Sequence, residues 1–225
     1  MKINTLYEDD FYVAIDKPAG ILSVTIPGKS EKQVTDFIDN SSAYLVHRLD
    51  RYTSGVLLLA KSRESLDEIQ KQFKERKINK IYKSLVFGIP PEAGKINSPL
   101  KRREKSRMKF RVSGSQDSRN ALTEFKRIKT FDSKVGKFSL LSVKIFTGRT
   151  HQIRVHLSSI KFPVVCDDEY GRKKENKKIA KKIGLKRQFL HAETLGFKHP
   201  FTGKEISILS DLPEELKTCL EKIQA

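Results

Sequence analysis

A chain of 225 residues can bury a substantial core as one domain, or at most as two small lobes. With 37% hydrophobic and 32% charged residues it reads as a globular protein, and no apolar run approaches the ~20 residues of a membrane span. A formal charge of +18 and a pI near 9.8 point to a polyanionic partner, held by attraction and counterion release. The two cysteines, Cys166 and Cys219, are too few for a disulfide framework and stand in no metal-ligand spacing. These counts favour a reducing, cytoplasmic setting.

In chain order, MKINTLYEDDFYVAIDK is strand-like and partly acidic, which is not the pattern of a secretory leader. Phe11 to Asp16 alternates as a strand and stops at the turn Lys17-Pro18-Ala19-Gly20. Residues 44–49 and 54–61 make a strand–turn–strand around Asp50. Ser62 reads as a helix N-cap, with Leu66, Ile69 and Phe73 at helical spacing through Arg76. Strands are expected near 80–89, 121–128 and 138–146, and His151 to Ile160 makes a short amphipathic helix. Two more strands fall near 189–197 and 204–209. A last helix opens after Asp211, with Pro213 in its first turn and Leu216, Leu220 and Ile223 on one face. No repeat or linker divides the chain, so residues 1–225 are expected to form a single domain. Strands outnumber helices and short turns join many of them, which argues an α+β fold with a largely antiparallel sheet.

Charge is concentrated twice. Lys101 to Arg111 holds Lys101, Arg102, Arg103, Lys105, Arg107, Lys109 and Arg111, and Arg172 to Arg187 is a second basic run diluted by Glu175. Each fits a phosphate-contacting surface or a solvated loop.

The most informative run is HRLDRYTSGVLLLAK, His47 to Lys61. It sets Asp50 and Arg48 on a short turn that enters an apolar strand, a place where a side chain can be held rigidly. Asp50 beside Thr53, Ser54 and Gly55 is equally ordinary turn chemistry, so the run alone does not choose. The motifs absent are more decisive. There is no HExxH or CxxC, no phosphate-binding glycine loop, and no GxSxG or Cys/His signature, which leaves a cofactor-free reaction on one carboxylate open.

Five segments in this order, KPAG from Lys17, HRLD from His47, KIYKSLVFG from Lys80, TGRTHQIRVHL from Thr147 and LHAETLGFKHPFTG from Leu190, resemble the RluA-type family of RNA pseudouridine synthases. The resemblance runs over nearly the whole chain. It implies the family's fold, a mixed and largely antiparallel sheet with flanking helices and a central basic cleft. It also implies the family's cofactor-free reaction on uridines in tRNA or ribosomal RNA. The missing ligand motifs argue against a metal, and a monomer is the default expectation for a short enzyme acting on bulky RNA.

In such enzymes the Asp of HRLD is the indispensable group, and Asp50 matches it. Arg154 matches the Arg that pairs with that Asp. Tyr82 matches an active-site Tyr stacked on the uracil, although a strand Tyr is also ordinary packing. The target must be flipped out of folded RNA, and Arg48 matches the side chain that fills the space it leaves. Lys17 is read as part of a structural turn near the RNA, and Arg149 as shaping the turn that presents Arg154. Lys101, Arg102, Arg103, Arg107 and Arg149 are the RNA-binding candidates, while His47, His151, His191 and His199 are read as structural.

Three departures stand out: Ser84 where Ala is usual, Lys161-Phe162-Pro163 where a glycine turn is common, and Cys166 for Gly before Asp167. The small RNA-binding domain that many relatives carry ahead of the core is not expected here. Two rival readings remain: an RNA-binding or assembly factor on the same fold, and a metal-free ribonuclease using Asp50 with His47.

Overall fold

The computed structural model describes residues 3–24, 31–37, 43–103 and 109–224. In chain order they form β1 (Thr5–Glu8), β2 (Tyr12–Lys17), a 3-10 turn (Val34–Phe37), β3 (Tyr44–Leu45), β4 (Ser54–Ala60) and α1 (Arg63–Lys74). Then come β5 (Asn79–Phe87), β6 (Ala93–Asn97), β7 (Leu100–Arg102), β8 (Phe110–Val112), β9 (Leu122–Ser133) and β10 (Gly136–Ile145). The remainder is α2 (Gln152–Ser159), α3 (Lys173–Ile183), β11 (Leu190–Lys198), β12 (Glu205–Leu209) and α4 (Glu214–Gln224). Nearly all strand pairs are antiparallel, and the helices are interspersed among them, so the α+β expectation holds.

The described residues group into two compact units, one of residues 1–80 and 191–211 and one of 81–190 and 212–225. In the first, β4 is the organising strand. Its sequence SGVLLLA is buried at every position, as a strand covered on both faces must be. β2 pairs along one edge of it, from Tyr12 opposite Ala60 to Lys17 opposite Gly55. The other edge is shared: β3 pairs near its end, and β11 runs parallel near its start, His191 opposite Ser54 and Ala192 opposite Gly55. α1 begins as expected, with Ser62 accepting the Ser65 N–H, and buries Leu66 and Ile69 into a core with Tyr12, Leu58, Leu195 and Phe197.

The second unit holds antiparallel strands in the order β5-β10-β9-β6, so that β5 and β6, consecutive in the chain, lie apart. β9 and β10 extend past the expected ends because Ser133 and Gly136 close a tight hairpin between them. Leu85, Phe138, Ile179, Ile183, Leu216 and Ile223 form its core. α2 differs from the amphipathic helix anticipated: Gln152 to Leu157 are all buried, because it lies inside the unit rather than on it. α3 was hidden in the second basic run. Asn176, Ile179 and Ile183, spaced three and four apart, are its buried face, and its six lysines masked that period in the sequence.

Candidate active site

Asp50 is half-buried on an irregular segment between β3 and β4, and its carbonyl closes a turn by accepting the Thr53 N–H at 3.0 Å. The turn is held from behind. Lys17, at the end of β2, is fully buried and its ammonium donates to the carbonyls of Pro18 (2.9 Å), Arg51 (3.2 Å) and Thr53 (2.9 Å). An ammonium has three protons, and these three bonds use them. Gly20 N–H also donates to the Arg51 carbonyl at 2.8 Å. Ser23 brackets Leu49, its hydroxyl donating to the Leu49 carbonyl at 2.9 Å and accepting the Leu49 N–H at 3.1 Å. The KPAG segment is therefore the support of the Asp50 turn. Placing Lys17 among RNA-contacting residues does not agree with its burial among carbonyls.

The base of the turn is equally fixed. Gly55 has φ +113, and a Cβ there would lie 2.1 Å from the Ala192 carbonyl, so only glycine allows β11 to pass. Beside it, Ser54 Oγ and His191 Nδ1 lie 2.9 Å apart. His191 Nε2 donates to the Ser210 carbonyl at 2.9 Å, and Ser210 Oγ donates to Asp16 at 2.9 Å. The LHA segment, expected to serve packing, also completes this chain of hydrogen bonds under Asp50.

Arg48 is exposed two residues before Asp50. His47 turns inward instead, its Nε2 accepting the Leu58 N–H at 3.1 Å. Enclosure, and then the Lys80 ammonium, push its pKa down to about 3. A neutral imidazole engaged in this way is no acid–base partner for Asp50 near pH 7, which counts against the ribonuclease reading.

In the second unit, Tyr82 sits on β5 opposite Val143 and is 8% exposed. Ser84, two residues on, is fully buried, and its hydroxyl has no hydrogen-bond partner among the described residues. Arg154 on α2 is 4% exposed and held in a fork by Asp167, Nε to Oδ2 at 2.7 Å and Nη2 to Oδ1 at 2.9 Å. Asp167 is itself fixed by the backbone N–H groups of Glu169 (2.9 Å) and Tyr170 (3.0 Å). The guanidinium lies over the Tyr170 ring at 5.1 Å. Burial pushes the Tyr170 phenol up to about 12, so it stays protonated at neutral pH, accepting the Phe110 N–H at 2.8 Å and sitting 2.9 Å from His151 Nδ1.

The TGRTHQIR segment is stapled by Gln152. Its carbonyl oxygen accepts from Thr147 Oγ1 (2.7 Å) and Arg149 N–H (3.1 Å), and its amide donates to Leu122 O and Thr123 Oγ1, both at 3.0 Å. At the far end of α2, Lys161 (φ 72) and Cys166 (φ 58) hold left-handed backbone at or beside the positions where glycine was anticipated.

Lys101, Arg102, Arg103 and Arg149 line one cavity of about 530 Å³, together with Arg119 and Phe110. Lys101 also pairs with Asp117 at 3.0 Å, and Arg102 lies over Phe110 at 5.6 Å. Arg107 lies outside the described residues. Asp167, Tyr170, Gln152, Ser23 and Phe110 were not singled out as site residues from the sequence, since their value is a set of contacts that no local pattern encodes. Asp167 carried only a faint sign, as the residue after a substituted glycine position.

Residues 11–159, which include Lys17, Arg48, Asp50, Tyr82, Arg149 and Arg154, match the family model described as RNA pseudouridylate synthase. The chain belongs to this family. Its members isomerise uridine to pseudouridine in RNA. The chain is 37% identical over 223 residues to ribosomal large subunit pseudouridine synthase C of Buchnera aphidicola, covering 97% of this chain and 70% of that protein. It is 40% identical over 180 residues to an uncharacterized RNA pseudouridine synthase of Chloroflexus aurantiacus, spanning 80% of this chain but 53% of that one. Among solved structures, human RNA pseudouridylate synthase domain containing 1 superposes with a TM-score of 0.78 at 26% identity, covering 97% of this chain and 87% of its own. Four of the five motifs lie within residues 11–159, and the family they resemble is the family matched there.

Proposed function

We propose that this chain converts specific uridines of large-subunit ribosomal RNA to pseudouridine, without a cofactor, using Asp50 as the catalytic carboxylate. The observation that carries this reading is the family match across residues 11–159, with the HRLD turn inside it. The choice of ribosomal over transfer RNA is supported by relatives named ribosomal large subunit pseudouridine synthase C, from Buchnera aphidicola, and D, from Xanthomonas campestris, at 37% and 34% identity.

The reaction is an isomerisation. The bond between ribose and base nitrogen breaks, the uracil turns, and carbon 5 bonds to the ribose; carbon 5 loses a proton and the freed nitrogen gains one. Mass and oxidation state are unchanged, so the chemistry asks for a well-placed carboxylate rather than an electron carrier. Asp50 suits that task because Lys17, Ser23, Gly55 and His191 fix the backbone around it. Arg154 serves as the cation for the carboxylate, oriented by Asp167, which engages two of its five N–H donors. Tyr82 provides the ring on which the uracil stacks, worth roughly 1–3 kcal/mol per base. Arg48, exposed beside Asp50, fills the gap in the RNA left by the flipped nucleotide. The cavity lined by Lys101, Arg102, Arg103 and Arg149 binds backbone phosphate. The reading takes residues 1–225 as one catalytic domain that works as a cytoplasmic monomer.

The test is pseudouridine mapping of ribosomal and transfer RNA from cells lacking the gene, complemented with wild type or Asp50→Asn. Loss of one or a few ribosomal sites, restored by wild type alone, is expected. Restoration by Asp50→Asn would remove Asp50 from the chemistry and favour the assembly-factor reading, and loss confined to transfer RNA would move the substrate.

A further inference from the structure

We propose that α3 is a second RNA-docking surface, a rigid rail of lysines that grips the phosphate backbone of the substrate RNA away from the cavity described above. Lys173, Lys177 and Lys181 form one stripe along the helix at intervals of four, and Lys174, Lys178 and Lys182 form another. All six are exposed, as is Lys186 just beyond the helix, and Glu175 is the helix's one acid. Among the described residues none of the six makes an ion pair.

That arrangement is unfavourable for an isolated helix. Like charges at intervals of four repel. Lys173 and Lys174 also stand in the first turn, where the helix dipole disfavours cations, and Arg172 at the N-cap makes no side-chain capping bond to the helix. A polyanion relieves each of these terms at once. Lysines along one stripe are spaced about 6 Å apart, whereas duplex nucleic acid carries a charge about every 1.7 Å of axis, so each lysine can find a phosphate.

The rail is held in place from beneath. Ile179 and Ile183 are 2% exposed, and Asn176 accepts the Cys166 N–H at 2.9 Å and donates to the Asp167 carbonyl at 2.8 Å. Lys173, Lys177 and Lys186 line a cavity of about 320 Å³ that shares no lining residue with the one beside β7 and β8. The chemistry of the outer face selects RNA among anionic partners. It presents no apolar or aromatic side chain to anchor a protein interface, and the helix's apolar face is already spent on the core rather than available to lipid.

This inference rests on the ribosomal RNA reading, and the experiment separates the two. Binding of the full chain to a large-subunit ribosomal RNA transcript is measured across a salt series for wild type, the K174Q/K178Q/K182Q triple variant and the corresponding Lys→Arg triple. Glutamine is a good helix former and removes the repulsion, so the Gln triple is expected to melt no lower than wild type. Its affinity at moderate salt should fall at least tenfold, with the slope of log affinity against log salt shallower by about 2–3, while the Arg triple keeps the wild-type slope. An unchanged slope in the Gln triple overturns the proposal even where wild type makes pseudouridine. So does undetectable RNA binding by wild type, or a loss confined to binding of anionic vesicles or an acidic peptide. A reduced slope in a protein that makes no pseudouridine leaves the rail standing and rejects the isomerase reading instead.

Discussion

Replacing Lys17 by methionine separates the support of the Asp50 turn from contact with RNA. Methionine keeps the length and apolar stem of lysine but removes the ammonium that donates to Pro18, Arg51 and Thr53. Three charge-assisted bonds at roughly 1.5–3 kcal/mol each amount to about 4.5–9 kcal/mol. Against this, the variant no longer carries the desolvation cost of a fully buried ammonium, several kcal/mol. The net loss is then about 2–4 kcal/mol, a fall in Tm of roughly 4–16 °C for a chain of this size. On the role proposed for Asp50, the functional loss should be larger, because two of the freed carbonyls belong to residues within three positions of it, and a 1 Å misplacement of a reacting group can cost about 100-fold. The assay is single-turnover pseudouridine formation with saturating enzyme, read beside amide hydrogen exchange. The expected result is a rate at least 100-fold lower, little change in RNA affinity, and faster exchange at Thr53 and Gly20, whose N–H groups close the loop. Weakened RNA binding with an unchanged saturating rate and unchanged exchange would refute the argument and return Lys17 to the RNA surface.

Asp167→Asn keeps the shape of the Arg154 fork but removes its charge, leaving a buried guanidinium undercompensated; chemical denaturation should show a loss of about 3–5 kcal/mol. A loss under 1 kcal/mol would mean that Arg154 is held by other groups. His47 gives the protein an acid sensitivity. The unfolded imidazole protonates near 6.5, whereas enclosure holds the folded one down to about 3, so stability present above pH 6.5 is lost as pH falls between these values. Buried His156, also pushed down by its enclosure, adds in the same direction. Urea denaturation at pH 7 and pH 5 should show wild type losing more stability than His47→Gln, and equal losses would reject the enclosed neutral ring. Ser84→Ala removes a buried hydroxyl that has no partner among the described residues, and is expected to raise stability by about 1 kcal/mol, or Tm by about 2–4 °C. A lower Tm would show that the hydroxyl is satisfied after all.

Periodicity made the regular elements legible. β4, α1, β10 and α4 follow from apolar spacing, because burial acts on side chains whose direction the backbone repeat already fixes. α3 was not legible as a helix, since lysines fill both of its exposed stripes and leave only Asn176, Ile179 and Ile183 to carry the period. β7 and β8 were too short to give a signal at all, three residues each.

The sequence by itself carried the family resemblance, the positive charge that suits RNA, and an Asp at position 50 in an HRLD turn. Motif identity, charge balance and local turn chemistry are properties of residues in order along a chain. Only the tertiary structure decided that Lys17 is an internal brace, that Asp167 holds Arg154, and that Lys101, Arg102, Arg103 and Arg149 share one cavity. Each of these depends on groups 13 to 48 residues apart being brought to one place in the fold. Lys17 and Thr53 are separated by 36 positions, Arg154 and Asp167 by 13. Long side chains such as Lys and Arg carry the same charge whether they meet a carbonyl, a carboxylate or solvent, so their sequence neighbours are silent on which it will be. Burial alone settles it, because an ammonium taken out of water must find its acceptors in the fold.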